Sequence, residues 1–142
     1  MTDDGADTTG HLQIGAVATE TGLSIKTIRH YDEVGLVIPS ARSAGGFRLY
    51  TRADVDRLFV IRRMKPLGFT LDDMRKLLNA EGVLDDADAS SADRGAALET
   101  LADFRERARH AGARLERQLD YARELTTQLS NRLGDRPSGL TT

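Results

Sequence analysis

The last third of the sequence carries a heptad repeat of apolar residues, and this repeat constrains the fold more than any other feature. With position a at Leu101, nine of the ten a and d positions between residues 97 and 129 are apolar. A helix of about forty residues extends roughly 60 Å, so it cannot bury such a stripe without a partner helix. The alternative is an ordinary helix packed on its own domain, but the preceding part of the chain is too small to cover that length. The seam residues that we predict to carry a homodimer are Leu101, Phe104, Leu115, Leu125 and Leu129.

The composition of the remaining sequence predicts a small head joined to this helix by a linker. Turn residues and apolar periodicity are dense in the head, whereas both ends of the chain are polar and rich in Gly, Asp or Thr. We predict a disordered leader over 1–11, a compact head over 12–79, an acidic linker over 80–93, the long helix over 94–133 and a flexible tail over 134–142.

Capping and turn residues predict four helices and a two-stranded wing within the head. Ser24 is typical of a helix N-cap, and Thr51 with Asp54 forms a capping-box variant. Two apolar, β-prone pieces surround a loop from Pro39 to the Gly45-Gly46 pair, which indicates a two-stranded wing with a flexible tip over residues 36–50. The predicted helices cover 14–21, 24–34, 51 to about 65, and 70 to about 79. The predicted fold is therefore mostly α.

The segment IGAVATETGLSIKTIRHY has the spacing of a helix-turn-helix. Ala18 is small enough for two helices to touch, Gly22 tolerates a positive φ in the turn, and Ile25 follows at the offset that such a helix pair requires. The outward face of the second helix then carries side chains that reach base edges and phosphates. The alternative is a pair of surface helices with solvated charges. The residues on this outward face are Lys26, Thr27, Arg29, His30 and Tyr31.

The distribution of charge agrees with a nucleic-acid-binding head. The whole chain has a net charge of -2, yet residues 12–79 carry eleven Lys and Arg against seven Asp and Glu.

The chain has no Cys, its three His are scattered, and it has no nucleophile–base set or phosphate-binding Gly loop. We therefore expect no metal, no cofactor and no enzymatic activity. No apolar run approaches the roughly 20 residues of a membrane span, so we expect a cytoplasmic protein with no membrane contact.

Residues 12–79 contain three informative segments in succession, the first of which overlaps the helix-turn-helix: TIRHYDEVGL, GGFRLYTRADVDRL and IRRMKPLGFTLDDMRKLL. In order and spacing they resemble the MerR family of bacterial transcription regulators. The resemblance implies a winged helix-turn-helix head and an antiparallel coiled coil for the terminal helix. One departure is His30 beside Tyr31, where many members have two aromatic residues; we expect it to change sequence preference only.

The resemblance also implies roles for matching residues. Arg29 and Tyr31 are expected to contact bases or the adjacent backbone, and Thr27 to bond a phosphate. In the wing, Arg48 and Tyr50 are expected to grip the backbone; a surface ion pair is the alternative for Arg48, and a core position for Tyr50. Arg62, with neighbouring Arg63 and Lys65, would line phosphates or face solvent.

Members of this family bind as dimers to a palindrome in an overlong promoter spacer. They bend and untwist the DNA so that RNA polymerase engages both promoter elements. The resemblance therefore implies operator DNA, a second copy and RNA polymerase as partners, with a small-molecule or protein effector that the sequence does not identify. The alternatives are an architectural DNA-binding protein without direct promoter regulation and a coiled-coil adaptor with a degenerate head.

Overall fold

The computed structural model describes residues 10–135 of the chain. These residues are mostly helical and form two compact units that divide after Leu101. The predicted disordered leader and flexible tail lie almost wholly outside the described residues. The elements in chain order are β1 (Leu12–Gln13), α1 (Ile14–Thr21), α2 (Ile25–Glu33), β2 (Ala41–Arg42), β3 (Arg48–Tyr50), α3 (Arg52–Met64), a 3₁₀ turn (Lys65–Leu67), α4 (Leu71–Asp85) and α5 (Ser91–Leu133).

The predicted helix-turn-helix is present and consists of α1 and α2. Helix α1 ends at Gly22, whose φ of 76° lies in the left-handed region that glycine adopts without strain. The Gly22 amide donates to the Ala18 carbonyl at 2.9 Å and closes the last turn of α1. Helix α2 begins after Ser24, whose hydroxyl oxygen accepts a hydrogen bond from the Thr27 amide at 3.0 Å. The predicted turn at Gly22 and the predicted N-cap at Ser24 are therefore confirmed.

The wing belongs to a three-stranded antiparallel sheet in the order β1-β3-β2. Strand β3 is the second of the two predicted strands, and this prediction is confirmed. The first was predicted in the apolar piece before Pro39, which is wrong: Leu36 and Val37 are buried in the core outside any strand, and β2 lies within the predicted loop. Ala41 of β2 lies opposite Leu49 of β3.

The sequence analysis missed β1, in which Leu12 lies opposite Tyr50. Two residues are too few for an alternating pattern, and pairing with a strand far along the chain leaves no local signal.

An aliphatic core holds the helices of the first unit together. Its fully buried members include Val17 of α1, Ile28 of α2, and Val55, Leu58 and Ile61 of α3. In α3 these three buried residues recur at the spacing of one helix face. Because α2 turns its Ile28 face towards this core, its opposite face is left to solvent.

Helix α4 is longer than predicted, and the acidic linker is correspondingly shorter. Helix α4 continues to Asp85 because Ala80 is buried, so the apolar face of this helix extends past Asn79. Helix α5 begins at Ser91, three residues earlier than predicted, and the Ser90 hydroxyl accepts a hydrogen bond from the Asp93 amide at 3.0 Å. The predicted linker of residues 80–93 is thus wrong at both ends, and only residues 86–90 lie between the two helices.

The second unit consists of the part of α5 that follows Leu101. The predicted seam residues Leu115, Leu125 and Leu129 are each between 46% and 54% exposed, whereas Phe104 is buried. Half-exposed leucines along one helix are costly in water, because each leaves apolar surface uncovered. Among the helices described between residues 10 and 135, none combines the length and the apolar composition that a membrane-spanning segment requires.

A buried carboxylate joins the wing to α3. Asp54 is fully buried, and one of its oxygens accepts hydrogen bonds from the Ser40 amide at 3.0 Å, the Ser40 hydroxyl at 2.8 Å and the Thr51 amide at 2.9 Å. Its other oxygen accepts from Arg57 Nη2 at 2.8 Å. The Thr51 hydroxyl in turn accepts from the Asp54 amide at 3.1 Å, which completes the predicted capping box. Both ends of the wing are therefore tied to the same side chain.

We predict that Asp54→Ala destabilises the fold strongly, because it leaves buried donors unsatisfied and removes a helix cap. The expected loss is about 2–4 kcal/mol in the free energy of unfolding, measured by urea denaturation. Asp56→Ala, which removes an exposed carboxylate from the same helix, is the matched control and should change stability by about 0.5 kcal/mol or less. Equal stability of the two variants would contradict this role of Asp54.

Candidate nucleic-acid interface

The outward face of α2 presents three cationic or hydrogen-bonding side chains to solvent. Lys26, Arg29 and His30 are exposed, and Ser24 and Thr27 mark the beginning of the same face. A groove of about 820 Å³ runs along it, bounded at one side by Lys65. Long side chains on a protruding helix can enter the major groove of B-DNA, which is wide enough to admit an α-helix. The geometry therefore suits direct contact with bases.

Thr27 is oriented so that its hydroxyl proton remains available. The Ser24 hydroxyl donates to Thr27 Oγ1 at 2.8 Å, so this oxygen already acts as an acceptor. A threonine hydroxyl has one proton of its own to donate. Thr27 can therefore donate to a phosphate oxygen without losing its place in the helix cap.

The wing adds two arginines, only one of which was predicted. Arg48 Nε donates to Asp32 Oδ2 of α2 at 2.7 Å, and this hydrogen bond raises the pKa of Arg48 above its ordinary value. Arg42 Nη2 lies 3.6 Å from the same carboxylate oxygen, and its side chain is about half exposed. The ion pair that was the alternative for Arg48 is therefore present. Arg42 and Asp32 were missed because their meeting leaves no local signal: strand register sets Arg42 opposite Arg48, and packing of α2 against the wing brings Asp32 to both.

The tip of the wing is a hydrogen-bonded turn. The Ser43 amide donates to the Phe47 carbonyl at 2.9 Å, and the Gly46 amide donates to the Ser43 carbonyl at 2.9 Å. Gly46 has a φ of 84°, which explains why glycine stands there. Phe47 is 67% exposed beside this turn. An exposed aromatic ring at the end of a wing can pack on a deoxyribose, and the sequence analysis did not single it out.

The two tyrosines predicted to contact DNA are both buried. Tyr31 is only 2% exposed and Tyr50 is fully buried, so neither ring can reach a duplex from this conformation. Burial raises the pKa of Tyr31, and it raises the pKa of Tyr50 to about 12. The Tyr50 hydroxyl has no hydrogen-bond partner among the described residues. The core position that was the alternative for Tyr50 is therefore the one observed, and direct contact with a duplex does not fit either buried ring.

Arg62 has a structural contact that neither of its predicted roles included. Its Nη1 donates to the Thr21 carbonyl at 2.6 Å, and its guanidinium lies 5.0 Å from the centre of the Phe59 ring. Arg75 of α4 acts in the same way on α2, with donations to the carbonyls of Val34 and Gly35 at 3.2 and 3.1 Å. Cations near the C-terminal ends of helices satisfy carbonyls that the helix leaves unpaired. These two arginines therefore hold the ends of α1 and α2.

Within residues 10–135 no three His, Asp or Glu side chains are grouped so that they could hold a metal ion. The exposed groups of the interface are instead cations and hydrogen-bond donors on α2 and on the wing. Cations of this kind bind phosphates, and donors on a protruding helix read base edges. The arrangement is suited to recognition of a duplex.

Comparison with known proteins agrees with this interpretation. Residues 12–81 match the family model described as MerR HTH family regulatory protein. The chain is 42% identical over 82 residues to the mercuric resistance operon regulatory protein of Bacillus cereus, which covers 58% of this chain and 60% of that protein. It is 46% identical over 66 residues to the transcriptional activator TipA of Streptomyces coelicolor, across 46% of this chain and 26% of TipA. The chain thus spans less than two thirds of these relatives.

A solved structure is similar over most of the chain. HiNmlR, described as a MerR family regulator lacking the sensor domain and bound to promoter DNA, superposes with a TM-score of 0.67 at 22% identity. The match covers 88% of this chain and 96% of HiNmlR. At this identity the likeness concerns the fold, and it agrees with the mostly helical, winged architecture predicted from the sequence.

We predict that Tyr50→Phe stabilises the free protein, because it removes a buried hydroxyl that has no partner. An unsatisfied buried polar group costs about 1–3 kcal/mol, so the gain should be on the order of 1 kcal/mol at neutral pH. A raised pKa means that the neutral phenol is favoured in the fold, so wild-type stability falls as the pH rises from about 10, the ordinary pKa, to about 12. In the variant this part of the decline should disappear. Thermal denaturation at neutral and alkaline pH measures both effects, and a destabilised variant would contradict the prediction.

Proposed function

We propose that this chain, which belongs to the MerR family of HTH regulatory proteins, binds operator DNA as a homodimer and regulates transcription. The observation that carries the proposal is the exposed face of α2 with Lys26, Arg29 and His30, together with the two wing arginines that contact Asp32 of the same helix. A regulator of this kind acts where the chromosome lies, so we expect the protein in the cytoplasm. The curated relatives named above are an operon regulatory protein and a transcriptional activator, which supports a regulatory role.

The chemistry of the exposed side chains divides their roles at the DNA. Arg29 can donate two parallel hydrogen bonds to a guanine edge, and His30 can donate to or accept from a base. Lys26, Thr27 and the wing arginines are suited to phosphates, which set the register of the protein on the duplex but carry no sequence information. We infer that sequence preference comes mainly from Arg29 and His30, and affinity from the remaining cations.

The uncovered leucines of α5 support a dimer. A second copy of the same helix would cover Leu115, Leu125 and Leu129 with apolar surface of the same kind. A dimer binds two half-sites at a fixed separation, which accounts for the palindromic operators that such regulators use.

The proposed regulatory step is deformation of promoter DNA. Bending a site of this size costs on the order of 1–6 kcal/mol, which a dimer holding both half-sites can offset through its phosphate contacts. A change in the angle between the two heads would then alter the shape of the promoter spacer. RNA polymerase is the partner that would respond to this shape, and an effector bound elsewhere on the dimer would control it.

We predict that Arg29→Ala weakens binding to the cognate sequence by about 1–3 kcal/mol, because it removes a base contact. The duplexes to use are those that the wild-type protein enriches from a random pool, with affinity measured by mobility shift at moderate salt. Arg117→Ala removes an exposed arginine of α5 and is the matched control, with unchanged affinity expected. A wild-type protein that enriches no sequence, or an Arg29→Ala variant that binds as tightly as the control, would contradict the proposal.

We predict that replacing Leu115 and Leu129 together with Lys yields monomers, because two charges would then lie in the apolar seam. Light scattering measures the mass directly. The matched control is Ala113→Lys with Thr127→Lys, which adds the same two charges to the same helix on its outer face. If the seam variant stays dimeric, or if both variants dissociate, our assignment of the seam is wrong.

A further inference from the structure

Two arginines of the wing lie directly opposite each other. Arg42 of β2 and Arg48 of β3 are register partners in the antiparallel pair, so their side chains project from the same face of the sheet. Like charges at directly opposed positions destabilise a sheet. The pair therefore needs either a compensating charge or a ligand of opposite sign.

The compensating charge is Asp32, in the last turn of α2. Its Oδ2 accepts from Arg48 Nε at 2.7 Å and lies 3.6 Å from Arg42 Nη2. A carboxylate is unfavourable at this place for two reasons, since the C-terminal end of a helix has negative character and the neighbouring face of α2 is the one suited to DNA. The two arginines offset both costs, and the Asp32 side chain is only 12% exposed.

The contacts with Asp32 leave most of the guanidinium donors free. Arginine has five N–H groups, and Arg48 uses its Nε–H on Asp32, so its two Nη groups remain available. Arg42 Nη1 donates to the Gly46 carbonyl at 3.2 Å, which holds this side chain along the wing turn. Both guanidinium groups are thereby held in position before any ligand arrives.

We propose that Asp32 is a positioning residue for DNA binding, and that it gathers Arg42 and Arg48 into one phosphate-binding pair on the wing. This inference rests on the proposed function. Holding two long side chains in place lowers the entropy lost when they bind, and this helps only where the phosphates stand at the matching positions. Asp32 thus favours the cognate duplex, whose register is set by α2, over a duplex that is bound in many registers.

Neutralising Asp32 should therefore separate specific from non-specific affinity. Removal of a negative charge strengthens the long-range attraction to any duplex. Loss of the ion pair also frees Arg42 and Arg48, so that ordering them on the cognate duplex costs more. A residue with only a general electrostatic effect would change both affinities in the same direction.

The experiment compares Asp32→Asn with Glu33→Gln in the full chain. Glu33→Gln is the matched control, because it removes the same charge from an exposed neighbour on α2. Dissociation constants are measured by fluorescence anisotropy for a duplex enriched by the wild-type protein and for a scrambled duplex of equal length. For Asp32→Asn we expect the ratio of the two constants to fall about tenfold, with scrambled-duplex affinity unchanged or increased. For Glu33→Gln we expect both affinities to rise together and the ratio to stay constant.

The same substitution in an Arg42→Ala, Arg48→Ala background tests whether Asp32 acts through the arginines. We expect no further fall in the ratio there, and the double arginine variant should itself reduce the slope of log affinity against log salt by about 2. An unchanged salt slope in the double arginine variant would overturn the proposal whether or not Asp32→Asn folds. An Asp32→Asn ratio that stays constant, or falls equally without the arginines, would overturn it too. If the wild-type protein enriches no sequence at all, the proposed function itself fails.

Discussion

The buried carboxylate of Asp54 is the interaction on which the geometry of the head depends. It binds Ser40, which precedes β2, and Thr51, which follows β3, so both ends of the wing are fixed to the beginning of α3. The body of α3 is fixed in turn by its aliphatic contacts with the helix-turn-helix core. A two-stranded hairpin alone is only marginally stable in water, so the wing requires this attachment to hold a defined position.

A second aspartate, Asp32, connects the wing to the helix-turn-helix. Asp32 joins the middle of the wing to α2, whereas Arg62 and Arg75 satisfy the carbonyls at the ends of α1 and α2. The exposed side chains of α2 and the wing are thus held in one rigid frame of hydrogen bonds and packing. Pre-organisation of this kind lowers the cost of binding, and it gives the proposed recognition of DNA its physical basis.

The sequence predicted the parts of the fold that depend on local rules. Gly22, Ser24 and the Thr51–Asp54 capping box each have a signal within four residues, and each was confirmed. The features that were missed depend on residues far apart in the chain: β1 pairs with β3, and Asp32 meets Arg42 and Arg48 only because α2 packs against the wing. Tyr31 and Tyr50 were placed at the interface by helical spacing and by the family resemblance, with a core position as the alternative for Tyr50. Their burial depends on tertiary packing, which spacing alone does not describe. The acidic composition of the segment from residue 80 also led to the prediction of a linker where α4 in fact continues to Asp85.

The proposed function requires that Arg29 of α2 and the wing arginines Arg42 and Arg48 contact DNA phosphates and bases. Arginine footprinting with phenylglyoxal, with and without a saturating enriched duplex, tests it most directly when each site is quantified by mass spectrometry. We expect Arg29, Arg42 and Arg48 to lose most of their reactivity in the complex, whereas Arg117 and Arg123 of α5 keep theirs. Unchanged reactivity of Arg29 and Arg48, or protection confined to α5, would contradict the claim.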